Sequence, residues 1–398
     1  MVSTAGNVKL PERVTNFEEA RAKHGSRADF MLDMLQVGDP LADAVILEVN
    51  ALGKEAKRQL NQGVLHGLDS LENPPLAIAA FLTQIETMPE WIDHETVAAG
   101  DVPDLSLPPV WKALASSGLS LAHVYASPSI AKLLVQTGQL TTMAERRLVE
   151  TGMWKNQTVL PGALLRGAPG HVGTVQVRLL HARVRHTALK HGWDSAEWGV
   201  PINQTDVART WFGFTIVPFL YARAFGMVFS EQEQAQHYRF WSYLAHVLGL
   251  DERFHLDIRS DAAAEELLDL LDSTIGEPDD NARALTEAML ESNATTMSAG
   301  PLAMLDRETV RDLFNGLLRH VHGDRFADGL RLPRSRNTEL LPLLGAVSAQ
   351  SWALQHRTPE TSALAREEFT AVIASVVAEN MPDHTAYQAH IAPEHHAA

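Results

Sequence analysis

Helical periodicity runs through almost the whole chain, and the signals that would place strands are close to absent. No Asn-Gly or Asp-Gly pair sits between alternating apolar runs, the arrangement that most strongly marks a β-hairpin. Asp39-Pro40 reads as an N-cap followed by proline at the first helical position. The apolar residues after it (Leu41, Val45, Leu47, Val49) recur at helical spacing toward Gly63. Pro74-Pro75 opens a helix through Phe81 and Ile85 to Met88-Pro89. Ser127-Pro128 opens a short one that stops at Gly138, and Thr141-Thr142 caps one through Arg146, Leu148 and Trp154. Longer patterns cover 171–191, 204–228, 230–248, 260–274, 279–296, 302–319, 337–357 and 362–380. The segments 98–109 and 161–173 punctuate this series, but both are short and carry leucines, so neither reads as a linker. The sequence predicts an all-α fold, one large helical domain over 1–398. The tail 381–398, with His384, His390, His395 and His396, is expected to be a mobile, solvated end.

The chemistry open to such a chain is narrowed by what it lacks. Of 398 residues none is cysteine, which excludes disulfides, thiolate nucleophiles, zinc-thiolate sites, Fe–S clusters and thioether-linked haem. A formal net charge of −16 argues against nucleic acid, which is held by Lys and Arg neutralising phosphates, and against an anionic membrane surface. The most apolar stretch, Trp211 to Phe229, contains Pro218 and Arg223 and reads as a buried core helix rather than a span. Met1-Val-Ser-Thr-Ala-Gly-Asn has no charged segment leading into an apolar one. As it stands the chain reads as cytoplasmic, or as secreted with its leader removed.

Three constellations could carry chemistry. In Val177-Arg178-Leu179-Leu180-His181-Ala182-Arg183-Val184-Arg185-His186, the residues Arg178, His181 and Arg185 fall at i, i+3 and i+7 and share one helix face. Two flanking cations keep an imidazole neutral, which suits metal ligation; they also suit the propionates of a haem. The alternative is a hydrogen-bonded core histidine between surface arginines. His186 faces away from His181, so the pair is no helical zinc site. The one Glu-x-x-His, Glu252 to His255, is half of what a di-iron bundle needs and reads as a loop or surface feature. The second constellation is Arg147, Glu150 and Thr151, again on one face, offering a cation, a carboxylate and a hydroxyl. Its alternative is a surface Arg–Glu pair worth about 0.3–0.5 kcal/mol. The third, Gly192-Trp193-Asp194 and then Gly199 to Asp206, reads as a helix stop, a turn and a new N-cap at Thr205. The next helix carries Thr210, whose hydroxyl could accept from His181 Nδ1–H and fix its tautomer.

These runs taken in order resemble the latex clearing proteins, bacterial rubber oxygenases within a wider group of helical b-type haem proteins. Thr137-Gly138-Gln139-Leu140 and the spacing from Arg147 to Thr151 are similar as well, and the likeness extends over residues of about 30 to 380. The resemblance implies a globin-like helical core around one non-covalent haem b, with His181 as the proximal iron ligand. It also implies Arg178, Arg185 and Thr210 around the cofactor, and Arg147, Glu150 and Thr151 on the distal side. The implied reaction is cleavage of C=C bonds of cis-1,4-polyisoprene with O2 as co-substrate, leaving aldehyde and ketone ends. The alternative is a haem oxygenase or peroxidase of the same family acting on a smaller isoprenoid, lipid or natural product. The partner expected is an apolar olefin met by a monomer without a membrane span. Two positions depart from the family pattern. Glu150 stands where that pattern has an iron-ligating lysine, with Lys155 the nearest substitute. Ser129 to Leu133 lacks the carboxylate that the family carries on the preceding helix.

Overall fold

The fold is described from a computed structural model of the chain, over residues 10–136 and 142–380 and without the side chains of 116–118 and 142–147. The helix stop expected at Gly138, the run 137–140 and the tail 381–398 lie outside these residues. Every regular element among the described residues is helical: α1 (Phe17–His24), α2 (Ser26–Met34), α3 (Pro40–Leu52), α4 (Lys54–His66), α5 (Leu76–Glu86), α6 (His94–Ala99) and α7 (Val102–Ser106) come first. Then come α8 (Pro109–Ala113), a π turn at Leu114–Leu119, α9 (Ser120–Tyr125), α10 (Pro128–Gln136), α11 (Thr142–Thr158), α12 (Pro169–Lys190), α13 (Ser195–Trp198) and α14 (Gln204–Phe214). The chain continues through α15 (Ile216–Ala224), α16 (Glu231–Leu248), α17 (Asp261–Ser273), α18 (Asp280–Ala299), α19 (Arg307–Gly329), α20 (Leu340–Gln355) and α21 (Pro359–Asn380).

The departures from the sequence reading are local. The run expected from Asp39 toward Gly63 breaks at Gly53, whose φ of +79° no side-chain-bearing residue adopts cheaply. The pattern 204–228 divides at Thr215 (φ −102°, ψ −84°) into α14 and α15, with Pro218 in the first turn of α15, where its missing N–H goes unused. The last long pattern before the tail starts earlier than expected, at Pro359. Asp39 caps α3 as expected, accepting from the Ala42 N–H at 3.1 Å. The cap of α14 is Asn203 rather than Thr205: its carbonyl oxygen accepts from the Asp206 N–H at 2.9 Å, while the Thr205 hydroxyl donates to the Met31 carbonyl.

The segment read as one core helix is two, and together they supply the middle of the core. Trp211, Phe212, Ile216, Val217, Phe219 and Tyr221 are buried within one continuous hydrophobic cluster. No helix among the described residues is long and apolar enough to cross a membrane.

Candidate functional site

The site is built where α11 lies antiparallel against α12. Near the close end of the pair, Trp154 Nε1 donates to Thr174 Oγ1 at 3.2 Å. One turn on, Gly170 sits so near Thr158 that a Cβ there would lie 3.0 Å from its Cα. Trp154 and Thr158 share a face of α11 with positions 147, 150 and 151; Gly170 and Thr174 share a face of α12 with His181. Extending this register from Trp154 and Thr174 away from the close end brings Thr151, Glu150 and position 147 level with residues 177–181. These contacts fix how α11 and α12, the helices that carry two of the three sequence constellations, pack along one seam.

His181 is half-buried, yet the loss of solvent around it pushes its pKa down to about 4, with the Arg185 cation adding to the effect and Asp39 opposing it. Neither ring nitrogen has a hydrogen-bond partner among the described residues. Glu150 and Thr151 are half-buried. Arg147 is in α11, but its side chain is outside the described part of the structure. His186 is half-buried and faces away from His181.

The two arginines beside His181 are engaged by α3. Arg178 is 3% exposed; its Nε donates to Asp39 Oδ2 at 2.6 Å and its Nη2 to Oδ1 at 3.1 Å. Its Nη1 donates to Gln84 Oε1 and to the Val247 carbonyl. Arg185 Nε donates to Asp43 Oδ1 at 3.1 Å, and its Nη1 to the Ile202 carbonyl. Both staple α12 to α3, one turn before and one turn after His181. A propionate would have to share them, and Arg185, whose Nη2 has no partner among the described residues, is the better placed to be shared. The Thr210 hydroxyl donates to the Asp206 carbonyl of its own helix at 2.9 Å and makes no hydrogen bond with His181 among the described residues.

Lys155 is not a substitute for a distal lysine. It is 1% exposed and is held, together with Lys112, by the buried carboxylate of Asp104. The two cations keep Asp104 ionised far below the ordinary carboxylate range despite its burial, while burial lowers Lys112 to about 8. In Glu252 to His255, Glu252 and Arg253 are exposed, as a surface feature should be, but His255 is not. The His255 ring is fully buried between Trp91 and Trp211, its pKa lowered by burial to about 4.

Sequence reasoning missed Asp39 and Asp43 as partners of the α12 arginines, and the buried Asp104 with its two lysines. Asp39 shows in the sequence only as an N-cap, and nothing local announces a partner 139 residues away.

Residues 110–356 match the family described as ER-bound oxygenase mpaB/B'/Rubber oxygenase, catalytic domain. The chain belongs to this family. All of α11, α12 and α14 fall inside the matched region. Among solved structures, latex clearing protein LCP in the closed state aligns at a TM-score of 0.63. The alignment covers 85% of this chain and 91% of that one at 21% identity, a likeness of fold. The resemblance read from residues 177–206 thus holds at the level of family. No curated protein matches the sequence.

The residues present fit a haem iron. Among the described residues no three His, Asp or Glu side chains gather into a metal site, but a haem iron needs only one protein ligand, as with a proximal histidine. A neutral imidazole whose ring nitrogens have no partner among the described residues is that ligand's chemistry.

Proposed function

We propose that this oxygenase-family chain holds one non-covalent haem b at His181 and cleaves the C=C bonds of an apolar olefin, with cis-1,4-polyisoprene as the substrate class. The observation that carries the reading is His181 itself: held neutral by loss of solvent and the Arg185 cation, without a hydrogen-bond partner among the described residues, and on a helix that packs against the helix of Glu150 and Thr151. Bound haem supplies the activation of O2; both oxygen atoms end in the products, one as aldehyde and one as ketone, so the reaction balances without a further reductant.

The remaining work belongs to the chain. The fixed register of α11 on α12 holds the olefin between two helix faces. Glu150 takes a proton from an allylic carbon of the substrate and returns it, as a general base. The Thr151 hydroxyl donates toward negative charge developing on oxygen, and Arg147, one turn before Glu150, is the cation of the same face. Arg178 and Arg185, tied to Asp39 and Asp43, fix the rotation of α12 and so the direction of His181.

Glu150 in place of the family lysine favours a second reading, in which the substrate is a smaller isoprenoid, lipid or natural product. Product analysis separates the two. The purified protein is incubated with polyisoprene emulsion and, separately, with short terpenoids, and O2 uptake is followed alongside carbonyl-terminated products. Carbonyl-ended oligomers from the polymer support the first reading. Turnover of short olefins with none of the polymer supports the second, and O2 uptake with neither substrate overturns both.

A further inference from the structure

One surface helix shows the reverse of the usual pattern. From Leu340 to Gln355 α20 contains no charged residue. Its inner side is anchored: Trp352 Nε1 donates to the Val228 carbonyl, and the Ser348 hydroxyl accepts from Trp111 Nε1. On the outer side Leu340, Leu343, Val347 and Leu354 follow at i, i+3, i+7 and i+14, one continuous face. Leu343 is 61% exposed, Val347 58% and Leu354 60%. No described residue covers them. Next to α20 lies α21, which also packs on the site helix α11 and adds exposed Leu364 and Val372.

We propose that this face adsorbs the enzyme onto an uncharged hydrocarbon phase, namely the surface of a polyolefin particle. The choice of occupant rests on the olefin-oxygenase reading above. Three observations select it. A face without charge offers nothing to an ion-paired protein partner. A chain of net charge −16 is repelled by anionic phospholipid. The four large side chains together expose on the order of 400 Å², within the range of functional surface patches but only about half of the ~800 Å² per partner that a stable dimer buries. Adsorption on an extended apolar phase needs only one such face, and an insoluble polymer cannot diffuse to a recess; the enzyme must come to it.

The test is co-sedimentation of the purified full chain with surfactant-free polyisoprene particles, with neutral phosphatidylcholine vesicles and with phosphatidylserine vesicles. The variant is the triple substitution Leu343→Gln, Val347→Gln and Leu354→Gln. A control carries Leu47→Gln and Leu52→Gln, equally exposed apolar positions on α3. The expected result is a fall of at least tenfold in the polyisoprene partition coefficient for the triple variant, with the control unchanged and little binding to either vesicle. Wild-type adsorption by the triple variant, equal loss in the control, or equal binding of wild type to neutral vesicles overturns the proposal. So does a dimer in solution that the triple variant turns into a monomer. Sedimentation is read on protein with and without haem. If the adsorption pattern holds while no olefin is oxidised, the functional reading fails and the surface stands.

Discussion

Replacing Asp39 by asparagine leaves the N-cap of α3 in place, since asparagine caps as well as aspartate, and removes only the negative charge. Arg178 then stays 3% exposed with no carboxylate, its Nε and Nη2 having lost their charged acceptors. There is no room to turn away: a Cβ on Gly249 would already lie 2.4 Å from Arg178 Nε. Breaking a buried pair from one side costs about 3–5 kcal/mol, because the surviving charge is uncompensated. We expect about 3 kcal/mol for Asp39→Asn and about 1 kcal/mol more for Asp39→Ala, which also loses the cap. Arg178→Gln in the Asp39→Asn background removes the stranded charge, and the double variant should recover roughly 2 kcal/mol against the sum of the single losses. The assay is urea unfolding followed by far-UV circular dichroism on wild type, Asp39→Asn, Asp39→Ala, Arg178→Gln and the double variant. A loss below about 1 kcal/mol for Asp39→Asn, or strict additivity in the double variant, would show that the pair does not hold α12 against α3 and that His181 is oriented by something else.

The other predictions concern the buried network, pH and the seam. Asp104→Asn leaves Lys112 and Lys155 both buried around a neutral group, so it should destabilise at least as much as Asp39→Asn, by roughly 4 kcal/mol; a thermal midpoint unchanged from wild type would refute the ion triad. His181 and His255, both lowered to about 4, and His322, lowered to about 3, are neutral in the folded protein at pH 7. The unfolded chain binds protons at these positions below pH 6.5, so their stability contribution is full above that value and is lost as pH falls toward 4. For fully buried His255 alone, the loss from pH 6.5 to 5 is about 2 kcal/mol; a melting temperature flat between pH 7 and 5 would contradict the assignment. Glu150→Gln should retain cofactor and lose most olefin cleavage, and Glu150→Lys should give an internally ligated, low-spin absorption spectrum. Wild-type turnover by Glu150→Gln removes Glu150 as the base.

The sequence disclosed what is local or periodic. The all-α class, the cap at Asp39, the helix start at Ser127-Pro128, the burial of most of Trp211 to Phe225 and the helices that carry 147–151 and 178–185 all rest on spacing, which the backbone obeys wherever the chain goes. It did not disclose how remote elements share charge. Arg178 and Arg185 carry the same spacing whether they meet propionates or Asp39 and Asp43, and only the arrival of α3 decides between them. Lys155 reads as a spare cation until Asp104 and Lys112 appear beside it. The split at Thr215 and the cap at Asn203 were missed for a smaller reason: either neighbour of a turn can cap, and tertiary partners such as the Met31 carbonyl choose.

The central claim is that His181 is the one protein ligand of a b-type haem, and it is tested most directly by the ultraviolet–visible spectrum of the purified protein, as isolated and after dithionite, beside His181→Ala and His186→Ala. The account predicts a Soret band in wild type, with a pyridine haemochrome of b type since no cysteine can form a thioether. It predicts near-complete loss of the band in His181→Ala, with the fold kept by circular dichroism, and near-normal haem in His186→Ala. A wild-type protein that takes up no haem, or a His181→Ala variant that keeps it while His186→Ala does not, would contradict the account.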